Sequence, residues 1–176
     1  LFGKDTDKYA LLHAEDSFVF LAYGCEVDEF QHIMYQNPDL TPDERNAVWL
    51  ELEHKYRPWI DFDNLPFYGR GAGWQRQLHI YECPFYYIDY CLSTMAALQF
   101  FLLSLTDHKD AWQRYLRLVR RAGMASYTEL LETAGLNYGA LPKGLLKFHK
   151  YPEGARTPLE EHLAEGAMYA AGKSGK

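Results

Sequence analysis

Apolar residues recur at helical spacing along most of this chain. Over residues 9–35, Leu12, Phe18, Leu21, Ala22, Cys25, Val27, Phe30, Ile33 and Met34 keep that spacing, and Asn37-Pro38 ends the run. Thr41-Pro42-Asp43-Glu44 combines a capping threonine, a proline suited to the first helical position and a glutamate that completes a capping box. It predicts a helix to about Tyr56, just before Pro58. Residues 57–73 carry Pro58, Pro66, Gly69, Gly71 and Gly73 and read as a loop long enough to suspect function. A helix over residues 74–81 follows, then a break at Pro84 and a helix over 85–105. That helix is apolar nearly all round, which predicts a place in the centre of the fold. Residues 109–121 form an amphipathic helix with Trp112, Tyr115, Leu116 and Val119 inward and Gly123 as its end. Ser126-Tyr127-Thr128-Glu129 is a second capping box, opening a helix that Gly135 stops near Ala134. Strand signals are weak throughout, so the class is all-α.

The last forty residues break the pattern. Beyond Asn137, glycines and prolines punctuate the chain; only residues 157–165 read as a helix, and 167–176 are expected to be poorly ordered. The division expected is a helical part over 1–136 and a divergent, partly disordered tail over 137–176.

Composition narrows the partners. With 18 Lys and Arg, a net charge of -6 and no dense basic block, the electrostatic footprint of a nucleic-acid binder is missing. The nearest thing to one, Arg117, Arg120 and Arg121, reads as a solvated helix face. Three cysteines without CxxC spacing, Cys25, Cys83 and Cys91, read as buried free thiols of a reducing compartment. No signal peptide is visible, and the longest apolar stretch, 95–103, is interrupted by Gln99 and too short to cross a bilayer. A cytoplasmic protein without membrane or nucleic-acid partners is the expectation. Fourteen Tyr, ten Phe and four Trp suit either a thick helical core or a cleft that must both pack and hydrogen-bond.

Two stretches hold candidate chemistry. Asp28-Glu29-Phe30-Gln31-His32 looks like HExxH with its first histidine changed to aspartate. Asp28 and His32 share a helical face, but a third zinc ligand is missing, and Glu26, Asp28 and Glu29 are as easily a charged face. The second runs from Trp74 to Tyr90. His79 precedes a proline turn, and Tyr86, Tyr87 and Tyr90 open an apolar helix, with Tyr87 and Tyr90 on one side of it. Unpaired N–H groups and the positive dipole end at such a helix start favour a developing oxyanion. The competing reading is a set of core tyrosines satisfied by their neighbours.

The run His79-Ile80-Tyr81-Glu82-Cys83-Pro84-Phe85-Tyr86-Tyr87-Ile88-Asp89-Tyr90 resembles the oligoendopeptidase F group of the M3 zinc metallopeptidases. So do Gly73-Trp74-Gln75-Arg76-Gln77 and the stretch from Val27 to His32 followed by Tyr35-Gln36-Asn37-Pro38. The resemblance covers residues 8–136. It implies an all-α fold, the multi-helix C-terminal portion of a gluzincin oligopeptidase catalytic domain. It also implies that the Asp28–His32 stretch is a feature of its own rather than a decayed zinc site.

By motif position, the resemblance implies that His79 binds substrate backbone, Tyr90 donates to the oxyanion and Tyr87 assists in binding substrate. Tyr86 is the alternative donor, because the spacing from the histidine varies among related zinc peptidases. Tyr68, Gly71 and Gly73 would line the cleft and let substrate backbone come close; an ordinary helix connection is the other reading of that loop. The activity implied is zinc-assisted hydrolysis of short peptides. No HExxH occurs in this sequence, so the Zn2+ ligands are expected upstream of Leu1, the metal set within this chain is empty, and the chain alone is expected to be inactive. The expected partners are the N-terminal half of the catalytic domain or a second copy of the chain. A non-catalytic helical interaction module on a peptidase scaffold is the alternative.

Overall fold

A computed structural model describes residues 2–62 and 64–137. Every regular element among them is helical: α1 (Thr6–Gln36), α2 (Pro42–Tyr56), α3 (His79–Glu82), α4 (Ile88–Thr106), α5 (His108–Arg121) and α6 (Tyr127–Ala134), with short 3-10 turns at Gly3–Asp5 and Gly73–Arg76. The all-α class holds. The expected helix over 157–165 and the expected disorder of 167–176 lie outside the described residues. Two compact units divide the chain, Leu1–Cys91 and Leu92–Lys176.

In the first unit α1 packs against α2. Asn37 ends α1 by turning its amide back onto the Ile33 carbonyl at 3.0 Å. The Thr41 box starts α2: the Glu44 N–H reaches Thr41 Oγ1, and Glu44 accepts the Thr41 N–H at 2.8 Å. Between the helices lies a core of Val27, Phe30, Met34, Trp49, Leu52 and Ile80. The Phe30 ring meets the Trp49 indole edge-on at 5.0 Å. Burying two such rings contributes about 2–3 kcal/mol each.

Two expected helix boundaries move. The helix predicted over 74–81 is a 3-10 turn and a single α-turn, separated because Gln77 is extended. The long apolar helix starts at Ile88 rather than Phe85, because Phe85 takes a left-handed φ of 64° that an α-helix cannot include. It is also not buried all round. Cys91 and Gln99 are buried, but Leu92, Phe101 and Leu105 are exposed. In the first unit its opening turn packs on α1, where Cys91 Sγ lies against Gly24. At 19 residues, α4 is by length and composition the one helix among the described residues long and apolar enough to cross a bilayer. Core helices of water-soluble proteins share both properties, and its Gln99 is tied to Asn137 as described below.

The Gly24 contact fixes the sign of a substitution. A Cβ at Gly24 would stand 2.1 Å from Cys91 Sγ. Gly24→Ala gains about 1 kcal/mol of helix propensity but overpacks at a cost of about 1–3 kcal/mol. Net destabilisation is expected in urea unfolding. In a Cys91→Ala background the same change should become stabilising, because the neighbours that remain, the residue 91 Cβ and Tyr87 Cδ1, stand at an ordinary 3.9 Å.

In the second unit, α5 and α6 pack together, and Leu131, Ala134 and Leu136 form the core against Ala96, Phe100, Leu103, Leu118 and Tyr127. Asp107 caps α5 and Glu129 returns to the Ser126 N–H at 2.8 Å. Gly135 closes α6 in the left-handed conformation at φ 67°. Gln99 exchanges two 2.8 Å hydrogen bonds with the backbone of Asn137. The α5 face is rotated from the one expected. Ala111 is buried and Leu118 meets the core, whereas Trp112, Tyr115 and Val119 are exposed. The arginine run is not wholly solvated either. Arg117 reaches the Thr133 carbonyl and Arg121 the Thr133 hydroxyl, near the C-terminal end of α6, where the helix dipole attracts cations.

Candidate functional site

The first unit gathers four of the predicted site residues. The His79 ring stands 4.9 Å from Tyr87, 5.9 Å from Tyr90 and 6.4 Å from Tyr86. Tyr86 and Tyr90 are 5.2 Å apart, and Tyr87 and Tyr90 are 5.4 Å apart. Tyr86 and Tyr90 are exposed, while His79 and Tyr87 are half-buried. Imidazole and phenol donors therefore converge on a surface that solvent reaches. Phe20 and Tyr23 on α1 back the cluster, with ring contacts to Tyr87 at 5.9 Å each.

The phenols differ in surroundings. Burial, and then the nearby Cys91 thiol, push Tyr87 up. A hydrogen bond with the Tyr86 hydroxyl pushes Tyr90 up. The two candidates for the oxyanion donor thus stand side by side, with their rings 5.2 Å apart. Backbone donors contribute less than expected at this helix start. The N–H groups of Phe85, Tyr86, Asp89 and Tyr90 go to Gln31, Cys83, Tyr86 and Tyr87.

Tyr68, Gly71 and Gly73 make other contacts. Tyr68 packs on Phe62 and Phe67 and beneath Arg76 at 5.5 Å. The Arg76 charge in turn favours the ionised forms of Tyr23 and Tyr87, opposing their burial. Gly71 and Gly73 are buried against α2. A Cβ at Gly71 would stand 1.9 Å from the Asn46 carbonyl oxygen, and one at Gly73 would stand 2.7 Å from Trp49 Nε1. The protein's own packing accounts for both glycines.

The Asp28–His32 stretch is no metal site among the described residues. His32 Nε2 and Asp28 Oδ2 lie 3.5 Å apart, with His32 exposed and Asp28 half-buried, and among the described residues no third metal-binding side chain joins them. The other members are structural. Glu29 bonds Lys55 at 2.6 Å and the Tyr56 hydroxyl. Phe30 is core, and Gln31 holds the Phe85 N–H at 2.8 Å. The cysteines are free, as expected, but Cys83 is exposed and Cys25 half-buried; only Cys91 is buried.

Sequence reasoning missed the residues that hold the cluster. Tyr23 donates to Gln77 Oε1 at 2.7 Å, and Gln77 Nε2 meets His79 Nδ1 at 2.7 Å. Tyr23 is 54 positions from Gln77, so no local pattern signals the pair.

The chain is similar to several solved structures. The chain is 47% identical to a protein designated an oligoendopeptidase F, with a TM-score of 0.74 over 77% of this chain and 24% of that one. It is 37% identical to PZ peptidase A, solved with an inhibitor, with a TM-score of 0.75 over 99% of this chain and 28% of that one. An oligoendopeptidase F from Bacillus anthracis is 30% identical, with a TM-score of 0.61 over 97% and 25%. The chain spans about a quarter of the length of these peptidases. A family model for a domain of unknown function, DUF4301, matches residues 95–176. Among curated proteins none matches this chain.

Proposed function

We propose that this chain is the C-terminal part of a zinc-dependent oligoendopeptidase catalytic domain, supplying the side chains that bind a short peptide and stabilise its tetrahedral intermediate. The convergence of His79, Tyr86, Tyr87 and Tyr90 on one solvent-reached surface carries this reading. Similarity to oligoendopeptidase F and PZ peptidase A supports it. His79 donates to substrate backbone, the Tyr86–Tyr90 pair donates to the carbonyl oxygen as it gains charge, and Tyr87 orients both. Preorganised donors of this kind are worth about 3 kcal/mol each when their target becomes an oxyanion. In this reading the zinc is held by another part of the complete enzyme. A cytoplasmic location belongs to the same reading and rests on the cysteine pattern.

The test joins this chain to the remaining portion of its 47% identical relative. The fusion should cleave short peptides and stop when a chelator is added. His79→Ala and Tyr90→Phe should each lower kcat by about two orders of magnitude. Full activity in both variants would overturn the assignment of roles. Peptide binding without cleavage would point instead to an interaction module. Chelator-sensitive cleavage by the unfused chain would overturn the division of labour.

A further inference from the structure

His79 can serve a carbonyl only if the ring nitrogen that meets it carries a proton, and the partner of its other nitrogen bears on which one that is. The Tyr23 hydroxyl donates to Gln77 Oε1 at 2.7 Å. With its oxygen engaged there, the amide turns its nitrogen to His79 Nδ1, again at 2.7 Å. An amide nitrogen donates and does not accept. Nδ1 must therefore offer its lone pair, and the neutral imidazole carries its proton on Nε2.

The relay is braced behind Gln77. The Tyr23 ring lies under the Arg57 guanidinium at 4.9 Å and edge-on to Trp49 and Tyr87 at 6.4 and 5.9 Å. Arg57 is anchored in turn by buried Glu26 and Glu53. Burial pushes the Tyr23 phenol up to about 12, so it keeps the proton it donates. Among the described residues Gln77 is the hydrogen-bond partner of the imidazole, which leaves the Nε2–H to a ligand.

We propose that Gln77, held by Tyr23, is a positioning residue that fixes His79 in the Nε2–H form, making it a dedicated donor to a peptide carbonyl rather than a base. The tautomer follows from the relay alone; its use on peptide rests on the function proposed above.

The experiment is 15N NMR of the imidazole nitrogens in the full chain, on the alkaline side of ordinary histidine titration. The native protein should show one tautomer, with a pyridine-like Nδ1 and a pyrrole-like Nε2. Gln77→Glu puts an acceptor opposite Nδ1 and should move the proton to Nδ1. Tyr23→Phe lets the amide rotate and should give a mixture. A native Nδ1–H signal would overturn the proposal, as would a Gln77→Glu spectrum unchanged in a protein that still unfolds cooperatively. In the fusion, Gln77→Glu should raise KM for peptides at least tenfold. If the tautomers behave as stated but neither protein handles peptides, the relay stands and the peptidase reading fails.

Discussion

Arg57→Met should destabilise the protein by about 3–5 kcal/mol at pH 8, one of the largest single-site effects expected in the first unit. Arg57 Nε bonds Glu26 at 2.7 Å, and its Nη2 reaches Glu26 at 3.1 Å and Glu53 at 3.0 Å. Both carboxyls are fully buried. Glu53 Oε1 also accepts the Trp49 indole N–H at 2.8 Å, while its Oε2 is buried with no partner. One guanidinium thus faces two carboxyl groups, and removing it strands both.

The same imbalance gives the site a pH dependence. Burial outweighs the guanidinium and pushes Glu26 up to about 7, from an ordinary 4.5. Burial pushes Glu53 up as well. A carboxyl whose folded value is raised binds its proton more tightly when folded. Its contribution is complete below the ordinary value and declines as pH rises from about 4.5 through about 7. The loss is on the order of 3 kcal/mol for Glu26. Glu26→Gln keeps the hydrogen-bonding shape without titrating. It should flatten this part of the profile and stand above the native protein at pH 8 in urea unfolding. Arg57→Met should be less damaging at pH 5 than at pH 8. Equal losses at the two pH values would show that both carboxyls keep their charge.

The second large effect sits beside the candidate site. Gln31 is fully buried on α1; its Oε1 accepts the Phe85 N–H at 2.8 Å, and its Nε2 donates to the Val27 carbonyl at 3.3 Å. Phe85 is the one non-glycine residue with positive φ among those described. That conformation costs about 1–2 kcal/mol, and an unpartnered buried N–H costs about 1–3 kcal/mol. Gln31→Leu should therefore lose about 3 kcal/mol and let the backbone before Tyr86 relax. Phe85→Gly forfeits ring contacts with His32 and Tyr35 at 4.9 Å each but removes the left-handed penalty. Combined with Gln31→Leu it should cost less than the two changes summed. A double-mutant cycle checks this, with the His79–Tyr86 ring contact followed by NMR. Strict additivity would mean that Gln31 does not hold the turn.

These two clusters also mark where sequence reading stops. Thr41-Glu44, Ser126-Glu129 and Gly135 announce helix ends because each acts within four residues of itself. Apolar spacing locates α1 and α5 for the same reason. The phase of α5 escapes it: which stripe is covered depends on where α6 lies, and Leu118 faces it while Val119 does not. The start of α4 escapes it too. Nothing in Pro84-Phe85 announces a left-handed phenylalanine, since the glutamine that stabilises it stands 54 positions earlier. At the candidate site, His79 and the tyrosines are visible as a dense local run. Tyr23 and Arg57, which reach the imidazole through Gln77 or brace it from behind, become visible only in three dimensions.

Asn46 ties down the end of the long loop. Its carbonyl seats Gly71, and its side chain takes the Trp74 indole N–H at 2.9 Å and a Gln75 amide N–H at 3.5 Å. The chain is thus clamped to the middle of α2 a few residues before it delivers the imidazole. Insertions or deletions between Pro58 and Gly69 run out at that clamp, so the loop's outer span can diverge in length while the histidine keeps its registration.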